Sequence, residues 1–171
     1  KQIESRDFRG PDFFVALDTE RRSRKSWTVW EEDGKYPHFI VEILSDITAN
    51  VDRTTKKQLY QDTFRTPEYF WFEPNSLEFA GFVLVGGEYE PIPTNDAGHM
   101  WSKQLGLFIG IHNHQLRYFT ADGSLVPSPE EAATAAKEEA TAAKEEATAA
   151  TQKAAKLAAR LKELGIDPES V

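Results

Sequence analysis

The stretch Phe39-Ile40-Val41-Glu42-Ile43-Leu44 decides how this sequence is interpreted. Its apolar residues occupy both faces, which is typical of a strand buried in the middle of a sheet. One glutamate interrupts the run, and an unpaired carboxylate in such a strand is strongly unfavourable. We therefore expect Glu42 to be compensated by a metal ion, by a lysine or arginine, or by a raised pKa that keeps it neutral.

A second apolar strand begins with another acid, because Gly10-Pro11-Asp12 is followed by Phe13-Phe14-Val15-Ala16-Leu17. If the two strands are neighbours, Asp12 and Glu42 can converge. They would then provide the oxygen ligands that Mg²⁺ or Mn²⁺ prefers, with waters completing the octahedron. The alternative is that Asp12 only shapes the turn or starts the strand.

The positive charge that such a site needs can come from Lys56 or Lys57, on a predicted helix that follows the Glu42 strand. Two acids and a lysine on a small mixed sheet are the minimal set for metal-assisted phosphodiester hydrolysis. Both lysines could instead be solvated, and Lys56 could pair with Asp52 one helical turn away. Asp52 itself is expected to be the N-cap of this helix.

The ordered combination of motifs resembles the Uma-two family, a group of restriction-endonuclease-like proteins in the PD-(D/E)xK nuclease superfamily. The resemblance spans roughly residues 6–126. The motifs that carry it are Pro11-Asp12, Ile40-Val41-Glu42-Ile43-Leu44-Ser45, Asp52-x-x-x-Lys56-x-x-x-Tyr60, Thr66-Pro67-Glu68-Tyr69-Phe70-Trp71 and Glu73-Pro74.

The resemblance implies an α/β, restriction-endonuclease-like fold in which a central mixed sheet is flanked by helices. It implies that Asp12 and Glu42 bind the metal and that the lysine is Lys56, with Lys57 as the adjacent alternative. The superfamily lysine usually lies two positions after its acid, where this chain has Leu44. The implied function is a metal-dependent endonuclease that uses Mg²⁺, or Mn²⁺, to hydrolyse DNA.

Some positions depart from the family pattern and favour a second hypothesis. His38 follows Pro37 where many members carry an acid, and Ser45-Asp46-Ile47-Thr48 replaces the family's Leu-Ser-Pro-Ser-Thr signature after the leucine. The alternative is a catalytically inactive nuclease-fold protein that binds or assembles through its C-terminal helix. The family also has an N-terminal helical region before the Asp12 strand, so a chain that starts at Lys1 is expected to be a fragment.

Composition agrees with one modest domain, residues 1–126, and an appendage, residues 127–171. The chain has 171 residues, of which 40% are apolar, and it has no cysteine, which excludes disulfides and thiolate metal sites. No run is long enough to span a membrane and no secretory signal is present, so we expect a cytoplasmic protein.

The charge balance argues against a basic DNA-binding module. The net charge is -8, with 14 basic and 19 acidic residues up to Val126 and 6 and 9 after it. The cluster Arg21-Arg22-Ser23-Arg24-Lys25, in a predicted loop or hairpin tip, could provide a positive stripe for nucleic acid. It could equally be a solvated turn beside a sheet edge.

Periodicity and turn signals predict an alternation of strands with a single short helix before the tail. Strands are predicted over residues 12–18, 26–31, 38–44, 69–73, 77–85, 89–92, 105–111 and 116–120, and the helix over residues 54–64.

The tail is rich in Ala, Glu, Lys and Thr, which predicts a long helix. Ser128-Pro129-Glu130-Glu131 is a start signal, and Gly165 followed by Pro168 is a stop signal. A strict heptad runs through it, with one core register at Ala133, Ala140, Ala147, Ala154 and Leu161 and the other at Ala136, Ala143, Ala150, Leu157 and Leu164. We expect self-association into a homo-oligomer through the helix from Ala133 to Leu164, the alternative being a solvated single helix held by charge pairs.

Overall fold

The structure of this protein is a computed structural model, and it describes residues 10–45 and 52–164, without the side chains of residues 52 and 53. The chain divides into two compact units, Lys1–Val126 and Pro127–Val171. The predicted N-cap side chain of Asp52, the degraded signature after Ser45, the expected N-terminal truncation and the stop signal after Leu164 lie outside the described residues.

The first unit contains a five-stranded mixed sheet in the order β1-β2-β3-β4-β5. Its strands are β1 (Phe13–Val15), β2 (Phe39–Ile43), β3 (Glu68–Glu73), β4 (Glu78–Val85) and β5 (Glu88–Pro91). Strands β2 and β3 run parallel, whereas the other neighbouring pairs are antiparallel. A parallel pair requires a crossover connection. Here it contains a helical segment, α1 (residues 52–64), which is π-helical over Asp52–Lys56, α-helical over Lys57–Leu59 and π-helical over Tyr60–Phe64.

A second, antiparallel sheet of three strands follows in the order β6-β7-β8. It consists of β6 (Met100–Ser102), β7 (Leu107–His112) and β8 (Gln115–Phe119). The sequence predicted β7 and β8 but missed β6, because three residues are too few to show a period. The expected α/β class with a mixed sheet and a long C-terminal helix is confirmed.

The two faces of the five-stranded sheet carry different cores. On one face, Phe39 and Phe70 pack against Met100 and Ile109 of the second sheet. On the other face, Ile40 packs with Tyr60, Tyr69 and Tyr89, and Phe82 packs against them. This mainly aromatic group, called the aromatic layer below, joins the sheet to α1. Because side chains alternate along a strand, Glu42 shares the α1 face with Ile40.

A buried acid ties the two sheets together. Glu68 is 1% exposed at the start of β3, and its carboxylate accepts hydrogen bonds from the Ser102 hydroxyl and from the backbone N–H of Lys103 at 2.7 Å. These partners lie at the end of β6 and in the turn after it, so the charge is compensated without a cation.

The predicted strand over residues 26–31 is wrong. This segment forms turns and a 3₁₀ helix over Val29–Glu31, and the indole N–H of Trp27 donates to the Lys35 carbonyl oxygen at 2.8 Å. A contact between the two ends of the segment explains the difference, because Arg24 before it and buried Glu32 after it form an ion pair. Trp27 and Val29 therefore belong to a loop and a 3₁₀ turn and not to a pleated strand.

The second unit is one helix, α2 (Pro129–Glu163). It begins with a capping box: the Ser128 hydroxyl accepts from the Glu131 backbone N–H at 3.2 Å, and the Glu131 carboxylate accepts from the Ser128 backbone N–H at 2.7 Å. The start signal is confirmed, and the C-cap is Leu164. No helix in the described ranges is long and apolar enough to cross a membrane.

Candidate metal and catalytic site

The site is built around Glu42, which has no exposed surface. It lies near the end of β2, and its side chain points towards α1. Both carboxylate oxygens are engaged by that helix, since Lys56 Nζ donates to Oε2 at 2.8 Å and the Tyr60 hydroxyl donates to Oε1 at 2.5 Å. Of the three kinds of compensation that the sequence left open for this acid, the structure shows a lysine contact.

Lys56 and Tyr60 reach the same carboxylate because they are four residues apart and occupy one face of the helical segment. Both lie in its π-helical turns, Lys56 at the end of the first and Tyr60 at the start of the second. π-Helical turns within helices occur frequently at functional sites. The geometry separates the two lysine candidates, because the neighbouring Lys57 points elsewhere.

Lys57 Nζ lies 3.4 Å from the centroid of the Phe82 ring, on β4. Burial lowers the pKa of the Lys57 ammonium. This is a cation–π contact in the aromatic layer, and it stabilises packing of the helix on the sheet. Lys57 is therefore a matched control for Lys56 in any functional test.

Asp12 joins the site from the neighbouring strand. The pairing of Phe13 with Val41 in the antiparallel register of β1 and β2 brings the preceding residue, Asp12, opposite Glu42. Asp12 Oδ2 accepts a hydrogen bond from the Ile43 backbone N–H at 2.8 Å, and the nearby Asp12 carboxyl contributes to the raised pKa of Glu42. Asp12 is solvent-exposed whereas Glu42 is buried, so one carboxyl of the pair is accessible to solvent and the other is not.

Opposing effects act on the ionisation of Glu42. Burial is the largest and raises the pKa of the Glu42 carboxyl, and the adjacent Asp12 carboxyl raises it further. Hydrogen bonds from Lys56 and Tyr60, together with the lysine charge, lower it. The pKa of Glu42 remains raised overall, because the contacts with Lys56 and Tyr60 do not fully offset the effect of burial.

The donor set fits a hard divalent cation. Asp12 and Glu42 offer carboxylate oxygens, and Mg²⁺ is usually bound by one or two carboxylates with waters or phosphate oxygens completing its shell. An added positive charge would also favour the ionised form of Glu42, which burial disfavours. Among residues 10–45 and 52–164 there is no cluster of three or more His, Cys, Asp or Glu, so the described part of the chain offers two side-chain ligands.

Two of the four basic residues in the cluster predicted as a possible nucleic-acid stripe, Arg22 and Arg24, make contacts within their own loop. Arg24 Nε lies 2.5 Å from Glu32 Oε1, and Arg24 Nη2 donates to Glu32 Oε2 at 3.0 Å. Arg22 Nη2 donates to the same Glu32 Oε1 at 3.1 Å. The Arg24 guanidinium also lies 5.2 Å from the Trp27 ring centroid. These contacts favour the interpretation of the cluster as a structured loop.

The structure thus brings Asp12, Glu42 and Lys56 together and directs Lys57 away. Sequence reasoning gave no role to Tyr60, although it quoted the residue as part of a motif. The signal was its spacing of four residues from Lys56, which places two hydrogen-bond donors on one helical face.

A family model designated Uma2 and described as "Putative restriction endonuclease" matches residues 2–114. The matched region includes both acids, the lysine and every strand of the five-stranded sheet. No curated protein matched the chain.

Proposed function

Because the chain belongs to the Uma2 family of restriction-endonuclease-like proteins, we propose that it is a metal-dependent endonuclease that hydrolyses phosphodiester bonds of DNA. Asp12 and Glu42 hold Mg²⁺, or Mn²⁺ in its place, and Lys56 assists the reaction. The observation that carries the proposal is the fully buried Glu42 carboxylate, 2.8 Å from Lys56 Nζ and adjacent to the exposed Asp12 carboxyl.

The contacts of Glu42 support this function better than a purely structural role. A buried structural acid such as Glu68 receives hydrogen bonds from neutral donors in its own core. Glu42 instead lies next to a second, solvent-exposed carboxylate; burial raises the pKa of Glu42, and the neighbouring Asp12 carboxyl raises it further. Placing two acids together is unfavourable unless something positively charged binds there, and this is the usual logic of a metal-dependent active site.

Each residue has a defined task in the proposed reaction. Asp12 and Glu42 hold the metal ion, and the Tyr60 hydroxyl fixes the orientation of the Glu42 carboxylate by a hydrogen bond. Lys56 stabilises the negative charge that develops on the phosphate oxygens, or positions the attacking water by a hydrogen bond. The water oxygen bonds to phosphorus and gives up a proton to solvent, the ester P–O bond breaks, and the leaving oxygen takes a proton from solvent, so that the products are a phosphate monoester and a free hydroxyl.

A divalent cation bound by the two acids would supply Lewis-acid activation of water and of the phosphate. The acidic net charge does not oppose this assignment locally, because a bound cation and Lys56 both reduce the negative charge where the phosphate must approach.

A second candidate is a nuclease-fold protein without catalytic activity that binds or assembles with a partner. One observation favours it: both oxygens of Glu42 already have partners within the protein. In that case Lys56 is only the counterion of Glu42, and the contacts of Glu42 with Lys56 and Tyr60 stabilise the junction between α1 and β2.

The test is calorimetric titration of Mg²⁺ and Mn²⁺ into wild-type protein and Glu42→Gln, with cleavage of supercoiled plasmid DNA measured on the same samples. We expect the wild type to bind metal and to nick the plasmid, and the variant to lose both properties. Glu90→Gln, which removes an exposed acid on β5, is the matched control and should keep both.

Absence of metal binding by folded wild-type protein would contradict the metal site and favour the second candidate. Metal binding without cleavage would support the site but not the activity. A parallel assay on RNA tests the substrate class, since cleavage of RNA alone would contradict the assignment to DNA.

A further inference from the structure

The second unit exposes a complete heptad surface. None of the residues of α2 is buried, and Leu157 and Leu164 are 58% and 62% exposed. Large exposed leucines in a regular register are typical of a helix that pairs with another helix.

The charges of α2 are not arranged to stabilise an isolated helix. Its sequence contains no pair of opposite charges at i,i+4 spacing, which is the usual support of a solvated single helix. The ion pair within it that the structure shows joins Arg160 and Glu163 at 2.7 Å, at i,i+3. Six charged residues lie beside the apolar seam instead, at positions next to the two core registers: Lys137, Glu139, Lys144, Glu146, Lys153 and Arg160.

We propose that α2 pairs with α2 of a second copy in an antiparallel orientation, with a defined register. Ala133 then packs opposite Leu164 of the second copy, and Ala147 packs opposite Ala150 of the second copy near the two-fold axis. The other core layers of this register pair Ala140 with Leu157, Ala154 with Ala143 and Leu161 with Ala136.

Side-chain size favours this direction. In the antiparallel register each of Leu157, Leu161 and Leu164 faces an alanine, so no layer contains two large residues. A parallel, in-register pair would stack leucine on leucine at these layers and alanine on alanine at every other layer. The distance between two helices depends on the side chains at the contact. The separation would therefore change more along a parallel pair, from leucine–leucine to alanine–alanine layers, than along the antiparallel pair, from leucine–alanine to alanine–alanine layers.

Charge complementarity selects the same arrangement. Four charged residues lie beside the seam at the position just before the first core register: Glu139, Glu146, Lys153 and Arg160. In the proposed register Glu139 faces Arg160 of the second copy, and Glu146 faces Lys153 of the second copy. Shifting the register by one heptad in either direction brings Glu146 onto Glu146 or Lys153 onto Lys153, which are repulsive contacts.

The polar residues beside the opposite edge of the seam do not oppose pairing. Lys144 faces Thr151 of the second copy there. The Thr151 hydroxyl already donates to the Ala147 carbonyl oxygen of its own helix at 2.8 Å, so its methyl group is free to pack. The lysine stem can lie along this surface with its ammonium in solvent.

Orientation is measured directly by a label distance, and the absence of native cysteines makes the labelling selective. Full-length Ala135→Cys carries a nitroxide spin label at an outer position of α2. In the antiparallel pair residue 135 faces residue 162 of the second copy, which predicts a separation of roughly 40 Å at 1.5 Å per residue. A separation below roughly 20 Å overturns the antiparallel orientation, because a parallel pair brings the two labels side by side.

Two charge reversals distinguish the directions by affinity. Lys153→Glu should weaken dimerisation about tenfold in sedimentation equilibrium of the full chain, because two attractive pairs with Glu146 become repulsive. Lys144→Glu should leave the affinity unchanged, since its antiparallel neighbour is Thr151. A parallel dimer gives the reverse result, because Lys144 would then face Glu139.

Sedimentation of the wild type is also decisive. A dimer that responds to Lys153→Glu supports the proposal, whereas a monomer at the highest concentration or a trimer overturns it. Neither outcome depends on metal binding or on DNA cleavage, so this inference and the proposed function can fail separately.

Discussion

The Tyr60 hydroxyl donates a hydrogen bond to Glu42 Oε1 at 2.5 Å, inside a core in which neither side chain is exposed. The bond joins the helical crossover to the parallel strand that precedes it. A buried charged acceptor makes this contact stronger than an ordinary hydrogen bond. It holds the carboxylate in the orientation in which its other oxygen meets Lys56.

We predict that Tyr60→Phe destabilises the protein by about 1.5–3 kcal/mol at neutral pH, because the ring packing is kept while the carboxylate loses one donor. Urea unfolding measures the change. Tyr118→Phe is the control for hydroxyl removal, at a site on β8 away from Glu42. Equal stability of Tyr60→Phe and the wild type would show that the hydrogen bond makes no net contribution.

Loss of this bond should also change catalysis in a characteristic way. Tyr60 lowers the pKa of Glu42, so Tyr60→Phe should move the acidic limb of the pH–activity profile to higher pH. A uniform loss of activity at every pH would instead indicate misfolding or misplacement of Lys56.

The lysines of α1 should differ sharply in function. Lys56→Gln removes the cation beside Glu42, and we expect single-turnover plasmid cleavage to fall by about a hundredfold or more. Lys57→Gln removes the contact with Phe82 and should change cleavage only slightly, with a small loss of stability. Similar cleavage rates for the two variants would exclude the assigned role of Lys56.

The ionisation of Glu42 should appear in the pH dependence of stability. Its pKa is raised in the folded state, so the unfolded chain loses the proton first and the free energy of unfolding falls as pH rises from 4.5 through the folded pKa. Glu42→Gln lacks this loss. The variant should therefore gain stability relative to wild type as pH rises, measured as the difference between their urea unfolding curves without added metal.

Other acids change the free energy of unfolding with pH in the opposite direction. For this reason the comparison uses the difference in the free energy of unfolding between wild type and Glu42→Gln. Hydrogen bonds in the turn after β3 lower the pKa of Glu73, and the contacts with Arg24 lower that of Glu32. Their contribution to stability is lost as pH falls, and it cancels in the comparison. A pH-independent difference would contradict the raised pKa of Glu42.

The packing between β3 and β4 should tolerate no added methyl group at Gly81. A Cβ there would lie 2.3 Å from the Phe70 ring, which is itself fully buried. We predict that Gly81→Ala destabilises the protein by about 1–3 kcal/mol, because the ring must move within a packed core. Val85→Ala, on the same strand at a position 47% exposed, is the control and should cost much less in thermal unfolding.

Several features of the fold follow from local chemistry and could be predicted. The capping box at Ser128 and Glu131 depends on residues three apart. The buried strand around Glu42 follows from a run that is apolar on both faces. In contrast, the segment around Trp27 looked like a strand and became a loop, because Glu32 and Arg24 join positions whose contact no local pattern reveals.

The sequence by itself determined that Glu42 needs compensation, because burial of a charge is unfavourable in any fold. It also determined the heptad seam and flanking charges of α2, since these depend only on helical periodicity. The tertiary structure decided which groups compensate the acid. The strand register brings Asp12 opposite Glu42, and the π-helical turns direct Lys56 and Tyr60 to Glu42 while Lys57 goes to Phe82. These contacts join residues up to 31 positions apart in the chain, and such distant pairings are fixed only when the strands and the crossover pack together.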